Sequence, residues 1–496
     1  MGICETEVLI IGGGVLGAAT ARELSKYKVD VTLVEKEVDV CCGSSKANVG
    51  MVNQGEDCLE YRPEYHRSKL VWDSMRMMEP LCQELEVPFK ISGGIGIFSN
   101  DAQRSKFVKM DSKAAKVRKM GYDWVGPQEW IDQDTLRKME PNITRDTIGG
   151  LLEPHAAVVD PMKLTIALAE NATENGVHMI LGTEVEDISH GVEGFEVRTN
   201  NGSIKTRFIV NAAGIYIDKI AAMVNADDFV LYPVKGYLAI CDKKLGGLIN
   251  HAIYRIPLMP GELNVVLPTV DGNLMFGITL LEARKGDLSS TKKMQDKALA
   301  NVQGLLPDIK GSDVIKYFTG FMMMQNFELG WHECVVDASK RVPRFINVSI
   351  GYPGISAAPA AAKEVVELLV KEGLKLKENS KFNPKRKAIP DFSEFSDKEK
   401  DQLIAQDPRY AHVVCRCETV TEGEIVEAIK RGATTVDGVK HRVRAGMGRC
   451  QSGFCRPRVI KILARELEIP EEEITMKGPG SRELLYKNKE LLKGGE

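Results

Sequence analysis

The chain lacks a long apolar run: no stretch reaches the ~18 apolar residues that a bilayer-spanning helix needs, so no transmembrane segment is expected. No secretory leader is expected either. Residues 8–11 are apolar, but glycines end the run at once and no basic region precedes it. Neither sign of charge dominates, with 66 Lys+Arg against 69 Asp+Glu and a net charge of −3. That balance gives no reason to invoke nucleic acid or an anionic membrane as partner. The 11 cysteines lack the even count of a disulfide framework. Seven of them (Cys4, Cys41, Cys42, Cys58, Cys82, Cys241, Cys334) are scattered, as free thiols are in a reducing compartment. There is no internal repeat and no low-complexity tract. A soluble cytoplasmic protein is the expectation.

What is present is a chain of 496 residues, room for two to four domains at roughly 100–200 residues each, and 43% hydrophobic content for a large core. Glu7–Ile11 reads as a buried parallel strand, a glycine turn follows, then a helix to about Lys26 and a strand at Val31–Glu35. That strand–helix–strand unit opens a doubly wound sheet. Residues 63–90 and 101–121 have helical periodicity, and Pro161–Gly176 is a further helix before a strand at Val177–Leu181. Phe195–Thr199 and Ser203–Val210 pair around the Asn200-Asn201-Gly202 turn. Residues 229–285 carry short β-like runs broken by Gly and Pro, suited to an antiparallel sheet over a ligand site, and Ala357–Glu372 is a long helix. Residues 376–411 read as a polar surface linker before a small cysteine-bearing module at about 412–475, and 476–496 as a charged tail. Cys41-Cys42 is either a reactive pair or two small loop residues.

Two motifs carry chemistry. In Val8-Leu9-Ile10-Ile11-Gly12-Gly13-Gly14-Val15-Leu16-Gly17, Gly12 permits the tight turn, Gly14 lets backbone approach a pyrophosphate and Gly17 lets the helix pack on the strand. The helix start at Val15 and Leu16 offers N–H groups to phosphates. Glu35, at the end of the second strand, suits ribose hydroxyls. At the other end, Cys415 and Cys417 stand in Val-Cys-Arg-Cys-Glu, and Cys450 and Cys455 in Cys-Gln-Ser-Gly-Phe-Cys. Four thiolates at these spacings suit tetrahedral zinc or an iron–sulfur cluster, and spacing alone does not choose.

Further strings give the chain a family resemblance. Ser44-Ser45-Lys46-Ala47-Asn48, Asn211-Ala212-Ala213-Gly214, and the run from Phe345 to Gly351-Tyr352-Pro353-Gly354-Ile355-Ser356 occur in order behind the glycine fingerprint. Together, over about residues 5–372, they resemble the FAD-dependent D-amino-acid-oxidase-like superfamily, in its glycerol-3-phosphate and L-2-hydroxyglutarate dehydrogenase branch. The resemblance implies FAD contacts at Gly12, Gly14, Val15, Leu16, Gly17, Glu35, Lys36, Ser44, Ser45, Lys46, Asn48, Val185, Ala213, Gly214, Gly351, Gly354, Ile355 and Ser356. It implies a helix N-terminus near the flavin pyrimidine, whose dipole would favour the anionic reduced flavin. Residues 232–237 and 268–273 resemble parts of the family's substrate sheet.

The chain departs from that branch where the substrate binds. Asn53 stands where a histidine is usual, and Met322 where an arginine would take the substrate's anion. A thioether cannot replace a guanidinium clamp, and Met322-Met323-Met324 reads as an adaptable apolar wall or as core. Arg255 or Lys235 could supply a relocated positive charge; Glu56 and Asp57 could equally face a cationic substrate. Asn53, Tyr237, Tyr254, Arg255, Met322 and Tyr352 are the candidates for the substrate wall, and no general base is assigned.

The cysteine module resembles the BFD-like [2Fe-2S] domain, with Thr421–Arg431 as a first helix opened by a Thr421/Glu424 capping box. Ala445–Cys450 would present N–H groups and Arg449 to a thiolate cluster. The expected architecture is therefore α/β: a Rossmann-type FAD-binding domain (about 1–90, 145–228 and 330–375), an antiparallel-sheet substrate domain (about 91–144 and 229–329), and a small mainly helical [2Fe-2S] domain. The expected function is FAD-dependent oxidation of a small CH–OH compound, glycerol 3-phosphate or a 2-hydroxy acid by resemblance, with electrons leaving through the cluster to a second flavoprotein or other acceptor subunit. The alternatives are a secondary-amine or imino-acid dehydrogenase, a relay subunit with no substrate of its own, and a zinc-stabilised assembly module.

Overall fold

The computed structural model describes residues 4–53, 66–122, 129–255, 264–277, 281–324 and 334–486. They form two compact units, Met1–Glu35 with Cys41–Arg386, and Lys36–Val40 with Lys387–Glu496. The proposed acids Glu56 and Asp57 lie outside the described residues, as does Cys58.

The first unit is built on an eight-stranded sheet. Its centre is parallel: Cys4–Ile11 lies between Val31–Val34 and Gly202–Asn211, with Ile11 opposite both Val34 and Asn211. Val8, Leu9 and Ile10 are fully buried, because helices cover both faces of such a sheet and its central strands read as unbroken apolar runs. The ten-residue strand Gly202–Asn211 changes partner along its length. Its first half pairs with Phe195–Thr199, and its end pairs in parallel with Phe345–Ser349. That exchange brings two distant strings, Asn211–Gly214 and Phe345–Ser356, to one edge. The amides of Asn211 and Asn347 bond to each other there at 2.9 Å, fully buried. The fingerprint helix is Val15–Ser25, and the late helix is Gly354–Lys371, beginning three residues before its expected start at Ala357.

A nine-stranded sheet forms the substrate part. It departs from the purely antiparallel expectation at one place, where Ala252–Arg255 pairs in parallel with Gly94–Phe98. The strand Gly149–Glu153 also joins it, although the sequence reading put that stretch with the dinucleotide-binding part. Strand alternation divides this sheet into two faces. Val234, Leu238, Ala252, Val265 and Leu267 face one apolar cluster, against which Tyr254, Met322 and Tyr352 pack. Ala239, Cys241, Ile253, Val266 and Phe276 face another, shared with Ala298 and Val302 of the helix Lys292–Gln303.

The stretch read as a linker is divided between the units. Asn379 N–H bonds to the Lys26 carbonyl at 2.8 Å, and Arg386, buried, reaches the Leu85 carbonyl at 3.0 Å and the Glu170 carboxylate. From Lys387 onward the chain belongs to the second unit, where Ser396 and Glu399 close a capping box on the helix Asp397–Gln406.

The second unit holds a two-stranded ribbon, Val413–Cys415 with Val420–Thr421, and the helices Glu422–Lys430, Val436–Val443 and Arg456–Leu467. The Thr421/Glu424 capping box is formed as its sequence spacing predicts. Asp39, from the short stretch counted with this unit, is held by both Nη groups of Arg442, and both side chains are 5% exposed. Among the described residues no helix is long and apolar enough to cross a membrane.

Candidate functional site

The glycine fingerprint is a place where backbone meets backbone. Gly12 has φ +111°, and a Cβ there would lie 2.4 Å from the Ala212 carbonyl oxygen. A Cβ on Gly17 would lie 2.0 Å from the Gly12 carbonyl. The tight turn and the close helix therefore both require glycine. The first helical turn has no side-chain cap from its own N-cap, Gly14. Its Val15 N–H instead donates to Ser45 Oγ at 2.9 Å, and Gly13 N–H donates to Glu35 Oε2 at 2.6 Å. N–H groups at a helix N-terminus, a hydroxyl beside them and a carboxylate at the second strand's end form the donor and acceptor set a dinucleotide needs. These residues fit FAD.

Ser44, Ser45 and Lys46 form one short helical turn, and Asn48 braces the next by accepting from Gly50 N–H at 2.7 Å. This segment meets the substrate sheet: a Cβ on Gly320 would lie 2.1 Å from the Ala47 carbonyl. Gly351, at φ +68°, comes equally close to Met323. Gly354, Ile355 and Ser356 open the late helix. Ser356, buried, accepts from Asn53 N–H at 3.1 Å, and Asn53 Nδ2 donates to the Tyr352 hydroxyl at 2.9 Å. Ala213 and Gly214 follow the Asn211–Asn347 pair, while Val185 begins its strand with a buried side chain. Lys36 packs with the second unit and pairs with Glu37 at 3.3 Å. Cys41 is fully buried and its thiol is pushed up by that burial, so the reactive-pair reading of Cys41-Cys42 is set aside.

The six proposed wall residues do not share one surface. Asn53, Tyr352, Met322 and Tyr254 gather on the side facing the Ser44–Asn53 segment. Tyr237 and Arg255 face the opposite side, for a reason of parity. Val234 and Leu238 point to the first side, so Tyr237 between them points away. Tyr254 points to it, so Arg255 does not. Arg255 instead donates to the Gly304 carbonyl at 2.9 Å, at the C-terminal end of the helix Lys292–Gln303. Lys235 is also taken: its buried ammonium donates to the Asp287 carbonyl at 2.8 Å, to the Asp287 carboxylate at 3.0 Å and to the Ser289 carbonyl at 2.9 Å. Neither proposed relocated cation serves the site face.

Other basic side chains lie near Asn53. Asn53 and Val52 open into a cavity of about 190 Å³ that is also lined by Arg76, Glu79, Phe89 and His155. Arg76 lies on the helix His66–Glu84, and no local sequence signal distinguishes it from the helix's other surface charges. Glu153 was missed as well; it is buried on the site face and accepts from the Tyr254 hydroxyl. A lone acid ending the Gly-Gly-Leu-Leu strand was the available signal.

In the second unit the four free cysteines come together as two hydrogen-bonded pairs, Cys415 with Cys455 and Cys417 with Cys450. Cys415 and Cys455 are buried; Cys417 and Cys450 are partly exposed. The bond from the Cys455 thiol lowers Cys415 to about 6, aided by backbone N–H groups of Gly446, Glu418 and Cys417. Gly446 N–H approaches Cys415 Sγ at 3.4 Å. Gly448 has no room for a side chain, since a Cβ would lie 2.3 Å from Cys417 Cβ. Glu418 and Arg444, both largely buried, pair at 2.9 Å beside it. Among the described residues no three His, Cys, Asp or Glu side chains converge as ligands of one ion. Two thiolate pairs, with N–H groups turned to a sulfur, fit a two-iron cluster.

An α/β dinucleotide fold with a substrate sheet, joined to a four-cysteine helical module, defines a flavin oxidoreductase carrying an iron–sulfur domain. Residues 7–368 match the FAD dependent oxidoreductase family (DAO), to which the chain belongs, and residues 413–465 match the BFD-like [2Fe-2S] binding domain. The chain is similar to a glycerol 3-phosphate dehydrogenase of Caloramator mitchellensis, 38% identical over 96% of this chain and 97% of that one. An L-2-hydroxyglutarate dehydrogenase of Escherichia coli is 24% identical over 60% of this chain and 71% of its own length. Among solved structures, the FAD-bound L-alpha-glycerophosphate oxidase of Mycoplasma pneumoniae superposes with a TM-score of 0.68 at 26% identity, covering 77% of this chain and 98% of that one.

Proposed function

We infer that this FAD-dependent oxidoreductase dehydrogenates a small anionic alcohol of the glycerol 3-phosphate class. The observation that carries this reading is Asn53, bonded to Tyr352 and Ser356, which lines a cavity that also bears Arg76, His155 and the acid Glu79. In this reading the fingerprint N–H groups and Ser45 hold the pyrophosphate, and Glu35 holds ribose hydroxyls. Ser356 fixes Asn53, and Asn53 orients Tyr352 toward the substrate. Arg76 and His155 take the anionic group that Met322 cannot bind. Met322 and Tyr254 exclude water from the sheet side. FAD supplies the hydride acceptor, and the [2Fe-2S] cluster held by Cys415, Cys417, Cys450 and Cys455 supplies a one-electron outlet. The electrons pass to a separate protein acceptor, and the free cysteines suit a reducing, cytoplasmic compartment.

The test is anaerobic flavin bleaching with glycerol 3-phosphate, L-2-hydroxyglutarate and a secondary amino acid. Bleaching by glycerol 3-phosphate at the lowest concentration supports the reading. Preference for the amino acid replaces it with the amine-dehydrogenase alternative, and bleaching by none of them leaves a relay subunit.

A further inference from the structure

A buried ion pair beside the cysteines supplies no ligand of its own. Glu418 directly follows Cys417, and Arg444 closes the helix Val436–Val443. Arg444 Nε donates to Glu418 Oε2 at 2.9 Å, and the two side chains are 13% and 3% exposed. Taking two charges out of water is costly, and their attraction often no more than offsets that cost. Such a pair adds little net stability, but it does fix the separation of the two segments that carry it.

Those two segments carry the N–H groups that reach Cys415, whose side chain is buried. On one side these are the N–H groups of Glu418 itself and of Cys417. On the other is Gly446 N–H, two residues after Arg444, which approaches Cys415 Sγ at 3.4 Å. Each end of the ion pair thus stands within two residues of a donor to one sulfur. The backbone at both places is in the left-handed region, with φ +54° at Thr419, +63° at Arg444 and +97° at Gly446. A residue other than glycine keeps that conformation only where its surroundings hold it there. The loop after Arg444 also packs directly on the other segment: a Cβ on Gly448 would lie 2.3 Å from Cys417 Cβ and 2.9 Å from Glu418 Oε1.

We propose that Glu418 and Arg444 are positioning residues for the [2Fe-2S] cluster: by clamping the turn at Cys417–Thr419 to the turn at Arg444–Gly446, they hold N–H groups from both on the Cys415 sulfur and so raise the cluster's reduction potential. The proposal rests on the four cysteines holding that cluster. An N–H group turned to a ligand sulfur favours the more negative, reduced form, so loosening it lowers the potential. The pair is neutral as a whole, so its influence runs through the placement of these N–H groups rather than through net charge.

The test is a redox titration of the purified holoprotein, followed by the EPR signal of the reduced cluster, in the wild type, in Glu418→Gln/Arg444→Met and in Arg444→Lys. The double variant removes both charges and leaves the net charge unchanged. Its midpoint should fall by at least ~59 mV, a tenfold change in the ratio of reduced to oxidised cluster at a fixed potential, with the iron content kept. Arg444→Lys keeps the charge and a donor, and its midpoint should fall by less. The Fe–S stretching bands of the wild type should shift when amide protons are exchanged for deuterium, and shift less in the double variant. A lower melting temperature with an unchanged midpoint would make the pair purely structural and overturn the proposal, as would a raised midpoint. If the double variant loses its iron, Arg444→Lys decides: a lowered midpoint supports the proposal, and an unchanged or raised midpoint, or loss of iron there too, overturns it. Wild-type protein without iron would sink the cluster itself, an outcome distinct from failure of the clamp.

Discussion

In the first unit the cofactor site is made of what the residues leave out; in the second it is made of what they put in. Gly12, Gly17 and Gly320 serve by lacking a Cβ where carbonyls come within 2.0–2.4 Å of its position. Ser45 and Glu35 add polar contacts to backbone that is already in place. Around Cys415 the ligands are side chains, and backbone N–H groups only tune them. A site built from backbone tolerates change in many side chains but in few glycines. A site built from thiolates tolerates no change at its four ligand positions.

The sharpest way to break this contrast is at the ligands. Cys415→Ser or Cys455→Ser should leave less than about a tenth of the bound iron, because ligand loss removes the metal's contribution to folding the module. Iron analysis and the visible spectrum read it, while substrate bleaching of the flavin should persist. Next in size is Gly12→Ala. The new Cβ meets the Ala212 carbonyl at φ +111°, adding ~1–3 kcal/mol of backbone strain, and the FAD-to-protein ratio after gel filtration should fall well below one. A variant retaining full FAD would show that the turn does not need its glycine.

A third prediction tests the cavity. Arg76→Ala should raise KM for an anionic substrate by about 10–100-fold with kcat little changed, as expected for loss of a charge-assisted contact made in ground and transition states alike. An unchanged KM would move the anion site elsewhere.

The fourth concerns pH and the second unit. Burial pushes the Glu424 carboxyl up from 4.5 to about 7, with Asp391 adding repulsion, despite the N–H and hydroxyl donors of Thr421. The folded state then binds the proton more tightly than the unfolded one. This stabilisation is fully present below about pH 4.5 and is lost as pH rises through about 7, an effect on the order of 1–3 kcal/mol. Hydrogen exchange of the Glu422–Lys430 helix should quicken across that window, and Glu424→Gln should flatten the dependence.

The smallest effect separates the two faces of the substrate sheet. Among the described residues the buried Tyr237 hydroxyl makes no hydrogen bond of good geometry, so Tyr237→Phe should be neutral within about 0.5 kcal/mol or stabilising. Tyr254→Phe removes a donor from buried Glu153 and should cost ~1–3 kcal/mol. Thermal unfolding of the two variants compares them directly.

The same contrast explains what could be read before the fold was seen. Glycines at fixed spacing and cysteines in close pairs are local signals, because their chemistry demands those residues at those intervals. The doubly wound sheet was legible for a similar reason, since its buried strands are continuous apolar runs. Tyr237 and Arg255 were misplaced because strand parity decides which way a side chain faces, and composition does not reveal parity. Arg76 went unseen because its helix meets Asn53 and His155 only through tertiary packing. Arg255 and Lys235 carried the right charge, but one holds the end of a helix and the other holds the Asp287–Ser289 turn.

The central claim is that one chain carries flavin and a two-iron cluster together. Protein purified without air should contain one FAD and two irons per chain, with little zinc, by flavin absorbance and elemental analysis on the same sample. One zinc and no iron per chain, or protein without flavin, would contradict it.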